Sequence, residues 1–383
     1  MEVALQKYRI EGIERAITPA LAVYPEMVDA NVAAMLRLLG GDANRWRPHV
    51  KTSKLGFVMR RLAGHGVVHA KCSTTLELTA ACDAGMHDVL VAYAMVGANA
   101  RRVMEIAAQH PEVRVSVLVE NESQAAMWHG TNVGIHIDVN SGMNRTGIGQ
   151  DRMDQILALA RAAGSQFRGL HFYDGHLSTR GMAERELAAH AGYDRLMEVV
   201  GALQRARAGV PEVITCGTPT FPCGLSYAPF TGGAFVHRVS PGTIVYNDFV
   251  SLGQLPEAYG FQPAALVIAT VVSHPLPNVA TCNAGHKSVS ADAGVPTCMV
   301  VGRPDLKPLA PSEEHLPLEA AVGAAPPAIG DTLYLLPRHI CPSVNNFDEA
   351  LIVEGGRMTR TERVTARGHE SPLAGFASRA GQS

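Results

Sequence analysis

The sequence predicts an α/β protein, a (β/α)8 TIM-type barrel followed by a smaller β-rich C-terminal domain. Three observations lead there. Short apolar runs alternate with amphipathic stretches from about residue 21 to residue 246. The alternation yields about eight or nine strand-plus-helix units, the count that a barrel of this kind needs. Beyond about residue 252 long helical periodicity stops, and apolar runs broken by Pro and Gly take its place.

The strand candidates are residues 21–24, 67–70, 89–92, 115–119, 133–139, 169–173, 213–216 and 236–239. Most are near-continuous apolar runs rather than alternating ones, as expected of parallel strands covered on both faces. Helical patterns lie between them at 28–39, 76–84, 153–163 and 183–205. A doubly wound open sheet is the competing architecture. The absence of G-x-G-x-x-G after the first strand weakens its dinucleotide-binding form. In the second region, 264–272, 297–301, 332–336 and 350–353 are expected strands. Segment 303–329, rich in Pro, Ala and Glu, is expected to be a surface excursion, and residues from about 371 a loose tail. The expected domains are 18–252 for the barrel and 253–370 for the β-rich part, the latter joined by 1–17.

Length and composition narrow the function classes. A chain of 383 residues accommodates one large domain and a smaller one. Hydrophobic residues make up 47% and charged residues 18%, with a net charge of −2, so neither nucleic acid nor an acidic membrane is an expected partner. No stretch approaches the roughly 20 apolar residues that span a bilayer. The N-terminal residues lack the basic-then-apolar order of a secretion signal. The seven cysteines are scattered and form no C-x-x-C pair, which fits reduced thiols and a cytoplasmic setting.

The segment Trp46-Arg47-Pro48-His49-Val50-Lys51-Thr52-Ser53-Lys54 stands where the second barrel strand is expected to end. Catalytic groups of such barrels sit at the C-terminal ends of the strands. Lys51 there can hold an aldehyde cofactor as a Schiff base, its amine freed by desolvation. A lysine in a strand-to-helix loop is otherwise a solvated surface residue.

Arg-Pro-His-Val-Lys-Thr-Ser-Lys is similar to the cofactor-lysine motif of the D-threonine aldolase and D-serine dehydratase family. These are fold-type III pyridoxal phosphate enzymes with an alanine racemase-like barrel. The resemblance implies that Lys51 bears pyridoxal 5'-phosphate and that Lys54 is non-catalytic. Ser53 stands where many relatives have His. Asn140-Ser141-Gly142-Met143-Asn144-Arg145-Thr146-Gly147 resembles the Gly-x-x-Arg-x-Gly segment of alanine racemases, which implies that Arg145 faces the cofactor's phenolic oxygen. Its alternative is a turn whose arginine caps or ion-pairs. Cys216-Gly217-Thr218-Pro219-Thr220 and Ser240-Pro241-Gly242-Thr243 resemble the phosphate-holding segments, giving Gly217, Thr218, Gly242 and Thr243 as cofactor contacts. Ser240 replaces the arginine that alanine racemases aim at the pyridine nitrogen. Gly169-Leu170-His171-Phe172-Tyr173-Asp174-Gly175-His176 resembles the aldolase branch; it makes Tyr173 a cofactor or substrate contact and Asp174 and His176 candidate bases for a substrate hydroxyl.

His339 and Cys341, two apart on an expected strand, point to one face and are good ligands for zinc and similar ions. Two ligands alone are a weak metal signal. In the resembling family, His-x-Cys or His-x-Asp at this place binds a divalent metal, Mn or Zn. His-x-Cys is dehydratase-like. The following Pro342-Ser343-Val344-Asn345-Asn346-Phe347-Asp348 and the 273–294 block are more aldolase-like.

The resemblance therefore implies a lyase that cleaves a D-3-hydroxy amino acid to glycine and an aldehyde. A D-serine or D-3-hydroxyaspartate dehydratase-type ammonia lyase is the alternative. An amino-acid racemase stands third, because no second-base tyrosine is recognised. A non-catalytic cofactor-binding barrel would lack the second domain and the metal pair. The resemblance also implies a homodimer.

Overall fold

The computed structural model describes residues 3–373. They cluster into two compact units, one of residues 39–51, 59–242 and 368–373, the other of 3–38, 52–58 and 243–367. The chain opens with β1 (Ala20–Val23) and α1 (Pro25–Leu38), both in the second of these units.

The first unit is the barrel. Residues 46–49 are followed by α2 (Gly56–Gly64), β2 (His69–Cys72), α3 (Thr75–Asp83), β3 (Asp88–Val91), α4 (Gly97–Gln109), β4 (Arg114–Val119), α5 (Glu122–Ala126) and β5 (Gly134–Asn140). After the two-residue β6 (Ile148–Gly149) come α6 (Met153–Ala163), β7 (Phe167–Phe172), α7 (Met182–Arg205), β8 (Glu212–Thr215), α8 (Phe221–Ser226) and β9 (Val236–Val239). Strands β2, β3, β4, β5, β7, β8 and β9 pair in that order, all parallel. Residues 46–49 close the ring: Trp46 bridges Val239 of β9, and His49 bridges Lys71 of β2, both in parallel. The barrel predicted from the apolar runs is therefore present.

The local chemistry explains the parts. The buried side chains Ile156, Leu159, Ala160 and Ala163 recur at the 3.6-residue period and seat α6 on the barrel. Thr74 caps α3 by accepting the Glu77 N–H, while the Glu77 carboxylate reaches back to the Ser73 N–H. Inside the ring lies a charged layer rather than an apolar one. Arg47, fully buried, donates to Glu212 at 3.0 and 3.1 Å and to Asp88 at 2.9 Å. Arg238 and His136 complete the shell of Glu212 at 2.8 and 3.2 Å. Burial alone would raise the pKa of both carboxylates. The Arg47 guanidinium and the neighbouring histidines outweigh it and hold both well below the usual carboxylate range.

The second unit is a mixed sheet. Its elements after the barrel are α9 (Phe249–Gln254), β10 (Ala265–Leu276), β11 (Val279–Cys282), β12 (Cys298–Val300), β13 (Leu306–Pro308), β14 (Leu316–Ala320), β15 (Thr332–Pro337), α10 (Ile340–Val344), β16 (Glu349–Glu354) and β17 (Arg357–Arg363). The strand path is β13-β14-β11-β10-β1-β16-β17, with β15 joining β10 to β12. Two expectations are corrected here. Residues 21–24 were expected to be a barrel strand, but β1 lies inside this sheet, antiparallel to β10 (Ala20↔Ile268) and parallel to β16 (Leu21↔Ala350). The strand is flanked on both edges and buried, so its apolar run is indistinguishable from a barrel strand. Segment 303–329 is no mere excursion either: β13 and β14 pair within it, and alternate residues Leu316, Leu318 and Ala320 enter the sheet core.

Candidate active site

Because residues 46–49 form the barrel strand that precedes β2, Lys51 leaves the first strand of the ring rather than the second. The Val50 N–H donates to the Lys71 carbonyl at 2.8 Å, and the Lys71 N–H to the Pro48 carbonyl at 2.8 Å. Lys51 thus emerges at the C-terminal mouth, the position from which barrels present reactive groups.

Two loops at the same end of the barrel carry other expected residues. In the 140–147 loop the Asn140 carboxamide oxygen accepts the N–H groups of Gly142 and Asn144, and Glu120 accepts that of Gly147. This loop presents the Arg145 guanidinium 4.9 Å from the centre of the Tyr173 ring. Ser141 Oγ donates to the Tyr173 carbonyl at 2.6 Å, locking the two loops together. A Cβ at Gly217 would stand 2.9 Å from the Tyr173 ring, so Gly217 allows that ring to lie against its backbone. Arg145 and Gly217 are therefore both assembled around the Tyr173 ring.

The two expected proton carriers of this region differ sharply. Asp174 is buried, with its carboxylate accepting from Thr220 Oγ1 at 2.5 Å and from Tyr193 OH at 2.6 Å. Burial raises its pKa, against those two hydrogen bonds. The arrangement makes it a brace: Thr220 Oγ1 in turn accepts the Gly217 N–H at 3.0 Å, and Arg185 holds the Pro219 carbonyl at 2.8 Å. His176 lies on the following turn, exposed to solvent.

Beside Lys51, Gly242 belongs to a close backbone approach, since a Cβ there would collide with the His49 carbonyl. Ser240 Oγ is buried and has no hydrogen-bond partner among the described residues. Thr218 is also buried. Glycine-lined backbone and an unpartnered hydroxyl fit an anionic group such as a cofactor phosphate.

Sequence reasoning missed a second polar layer, one step above the Arg47 layer. Lys71 Nζ reaches across the barrel from β2 to His171 Nε2 on β7, 3.1 Å away. His171 Nδ1 meets Asp138 Oδ1 at 2.7 Å, and Thr146 Oγ1 donates to Asp138 Oδ2 at 2.8 Å. Burial lowers the His171 pKa to about 4, so Nδ1–H donates to Asp138 and Nε2 accepts from Lys71. Burial, then the charge of Lys51, lowers the Lys71 pKa to about 7, against the opposing pull of Asp138.

In the sheet unit, His339 and Cys341 do not lie on a strand. Strand β15 ends at Pro337, and His339 is the N-cap of α10, with Cys341 in its first turn. Pro342 sits where a helix has no use for its missing N–H, which favours the helix over the expected strand. The two side chains still converge. Burial opposes the His339 imidazolium, but the Cys341 sulfur and the Asp292 carboxylate outweigh it and lift the pKa to about 9. Asp292 Oδ2 lies 2.6 Å from His339 Nδ1, the carboxylate-to-histidine contact that orients metal-ligating imidazoles. Cys341 Sγ is 3.0 Å from Thr52 Oγ1 and 3.9 Å from Thr243 Oγ1. Among the described residues no cluster of three or more His, Cys, Asp or Glu is arranged to hold an ion. The donor pair, with the Asp292 carboxylate set against its histidine, fits two of the ligands that a divalent metal needs.

A closed parallel barrel with a lysine at its mouth, joined to a separate mixed sheet, defines the architecture of a fold-type III pyridoxal phosphate enzyme. The chain belongs to the family described as "Alanine racemase, N-terminal domain", whose model matches residues 24–248. Residues 264–353 match the family described as "Putative serine dehydratase domain". Over most of its length the chain is similar to three curated proteins. It is 27% identical to a D-threonine aldolase of Arthrobacter sp, covering 94% of both chains. It is 27% identical to a 3-hydroxy-D-aspartate aldolase of Paracoccus denitrificans, covering 92% of both. It is 26% identical to a D-threo-3-hydroxyaspartate dehydratase of a Delftia species, over 89% of this chain and 96% of that one. The crystal structure of D-threonine aldolase from Filomicrobium marinum superposes with a TM-score of 0.83 at 27% identity, over 93% of this chain and 97% of that chain. No helix of the described residues is long and apolar enough to cross a membrane.

Proposed function

We propose that this protein is a pyridoxal phosphate- and divalent-metal-dependent lyase that cleaves a D-3-hydroxy amino acid into glycine and an aldehyde. The observation that carries the reading is Lys51 at the mouth of the closed barrel, beside the Gly242 approach. The full-length likeness to aldolases acting on D-threonine and 3-hydroxy-D-aspartate supports it.

When bound, the cofactor supplies an electron sink at the substrate α-carbon and the metal a Lewis acid at its β-oxygen. The protein's own residues do the rest. Lys51 would hold the cofactor through its amine. Arg145 would face the cofactor's phenolic oxygen with a guanidinium, Tyr173 would offer it a flat surface, and Gly217, Thr218, Gly242 and Thr243 would hold its phosphate. His339 and Cys341 would hold the metal, with the imidazole of His339 oriented by Asp292. His176, exposed on the turn after Asp174, takes the hydroxyl proton, while Asp174 braces the Gly217 loop through Thr220.

Cys341 favours a second reading. His-x-Cys is the dehydratase-like ligand pair, and one curated relative is a dehydratase. There Lys51 would remove the α-proton and the β-hydroxyl would leave as water, and hydrolysis of the released enamine would give a keto acid and ammonia. The deciding experiment is a product assay on protein loaded with pyridoxal phosphate and Mn or Zn. D-threonine, D-phenylserine, D-serine and D-threo-3-hydroxyaspartate are offered, with L-forms as controls. Glycine plus an aldehyde is expected; ammonia plus a keto acid replaces the aldolase by the dehydratase, and neither product rejects both.

A further inference from the structure

The chain passes into the sheet unit directly after Lys51, and the residues that follow are held there one after another. Tyr246 OH donates to the Ser53 carbonyl at 3.0 Å. Lys54 clasps a segment from near the other end of the chain. Its carbonyl accepts the Ala366 N–H at 2.9 Å and the Thr365 hydroxyl at 3.4 Å, and its own Nζ donates to the Ala366 carbonyl at 3.2 Å. The Gly56 N–H donates to Thr365 Oγ1 at 2.9 Å. The clasped segment is itself anchored: the Val364 N–H donates to the Asp348 carbonyl at 2.8 Å, and Val364 and Ala366 are buried. Lys54 sits at φ 51°, in the left-handed region where a residue with a Cβ is strained, and it is only 7% exposed. A glycine would meet the backbone need and an aliphatic residue the burial, but neither reaches the Ala366 carbonyl. Such strain persists where the surroundings impose it, and it marks a residue kept for its side chain.

We propose that Lys54 is a positioning residue for the cofactor lysine: by clasping Ala366 it fixes the residues after Lys51, so that the 364–366 segment governs how firmly the cofactor is kept. The inference rests on Lys51 being the cofactor lysine. On its other side Lys51 is already held, through the Val50 N–H on the Lys71 carbonyl and its own N–H on His49 Nδ1 at 3.3 Å. The clasp completes the restraint from the C-terminal side. A lysine on a mobile loop loses backbone freedom when it bonds the cofactor, and that loss is subtracted from affinity. A loop fixed at folding has lost it beforehand. A charged donor on a carbonyl is among the stronger hydrogen bonds, which suits it to such a hold. The covalent step balances simply: the Lys51 amine and the aldehyde condense to a carbon–nitrogen double bond with loss of one water and no redox change. Lys54 takes no part in that step and acts through Lys51.

The test needs no substrate. Cofactor-free protein is mixed with pyridoxal phosphate, retention is measured by equilibrium dialysis, and the adduct is fixed with borohydride and located by peptide mass. In the unsubstituted protein the adduct is expected on Lys51. Lys54→Met is expected to weaken retention about tenfold with the adduct still on Lys51. Thr365→Val removes the hydroxyl that joins Lys54 to Gly56, at an exposed position where folding is not at risk, and is expected to weaken retention about threefold. Both substitutions are then repeated in Lys51→Ala, which binds pyridoxal phosphate without the covalent bond. There each is expected to change retention by less than about twofold, because the residue it works through is gone. Thr365→Val decides the matter alone where Lys54→Met does not fold. Equal weakening with and without Lys51 overturns this inference, since the clasp would then hold the fold and not the amine. Unchanged retention in both variants overturns it as well. An adduct on any other residue overturns the reading of Lys51 itself, and this inference with it.

Discussion

Asp248 Oδ2 accepts the Ile340 N–H at 3.1 Å, so the residue between His339 and Cys341 hangs from a buried carboxylate. The other oxygen caps α9 through the Ser251 N–H at 2.9 Å. Two helix starts therefore share one acceptor, and burial raises the pKa of that acceptor against both bonds. Asp248→Ala is expected to destabilise the fold by about 1–3 kcal/mol and to weaken divalent-metal binding about 10- to 100-fold. Urea unfolding and metal titration measure the two effects. Asp248→Asn, which retains one acceptor, is expected to recover most of the metal affinity.

Lys51→Ala is expected to abolish both the visible absorbance of the bound cofactor and product formation. Thermal unfolding of the cofactor-free form should stay within about 1 kcal/mol of the parent, since a half-exposed lysine contributes little to stability. Turnover retained in this variant contradicts the assignment.

The Arg47 layer predicts an acid limit to stability. Asp88 and Glu212 are held ionised in the folded barrel below their unfolded range. Their contribution is complete above about pH 4–5 and drains away as the pH falls towards the folded values. Arg47→Met leaves two buried carboxylates without their main partner and is expected to cost about 3–5 kcal/mol at neutral pH. The gap between parent and variant should narrow at pH 3. Equal gaps at both pH values in urea unfolding would show that the layer is held by packing rather than charge.

Asp174 and His176 separate a brace from a base. Asp174→Ala strips Thr220 and Tyr193 of their acceptor, and weaker cofactor retention, by about tenfold, is expected with the reaction itself little changed once saturated. His176→Asn is expected to leave cofactor absorbance intact and to lower turnover by about 10²- to 10⁴-fold. Dialysis against buffer and saturation kinetics distinguish the two.

The parts of the fold that were legible in the sequence are those whose burial is apolar. β3, β5 and β8 bury essentially every residue, and their apolar members outnumber Asp88, His136, Asp138 and Glu212 enough for them to read as hydrophobic runs. The barrel's opening strand does not, because its inward residue is Arg47 and its neighbours are Pro48 and His49. That gap let the apolar β1 stand in for it. Lys71 was missed for the same reason: a charged layer across a barrel leaves no hydropathy signal, and only the three-dimensional closure shows that β2 faces β7. Motif spacing, by contrast, survived the error in secondary structure at His339 and Cys341, since a helix start brings these two residues together as a strand face would have done.

The placement of β1 also orders the birth of the molecule. Residues 46–239 contain every strand of the barrel and can close it while the rest of the chain is still being made. β1 leaves the ribosome before all of them, yet its partners β10 and β16 arrive only in the last third of the chain. A buried, apolar four-residue segment must therefore wait, unpaired at both edges, through most of synthesis. Nascent-chain truncations ending after β9 should expose that edge to chaperones, and adding the segment through β16 should hide it.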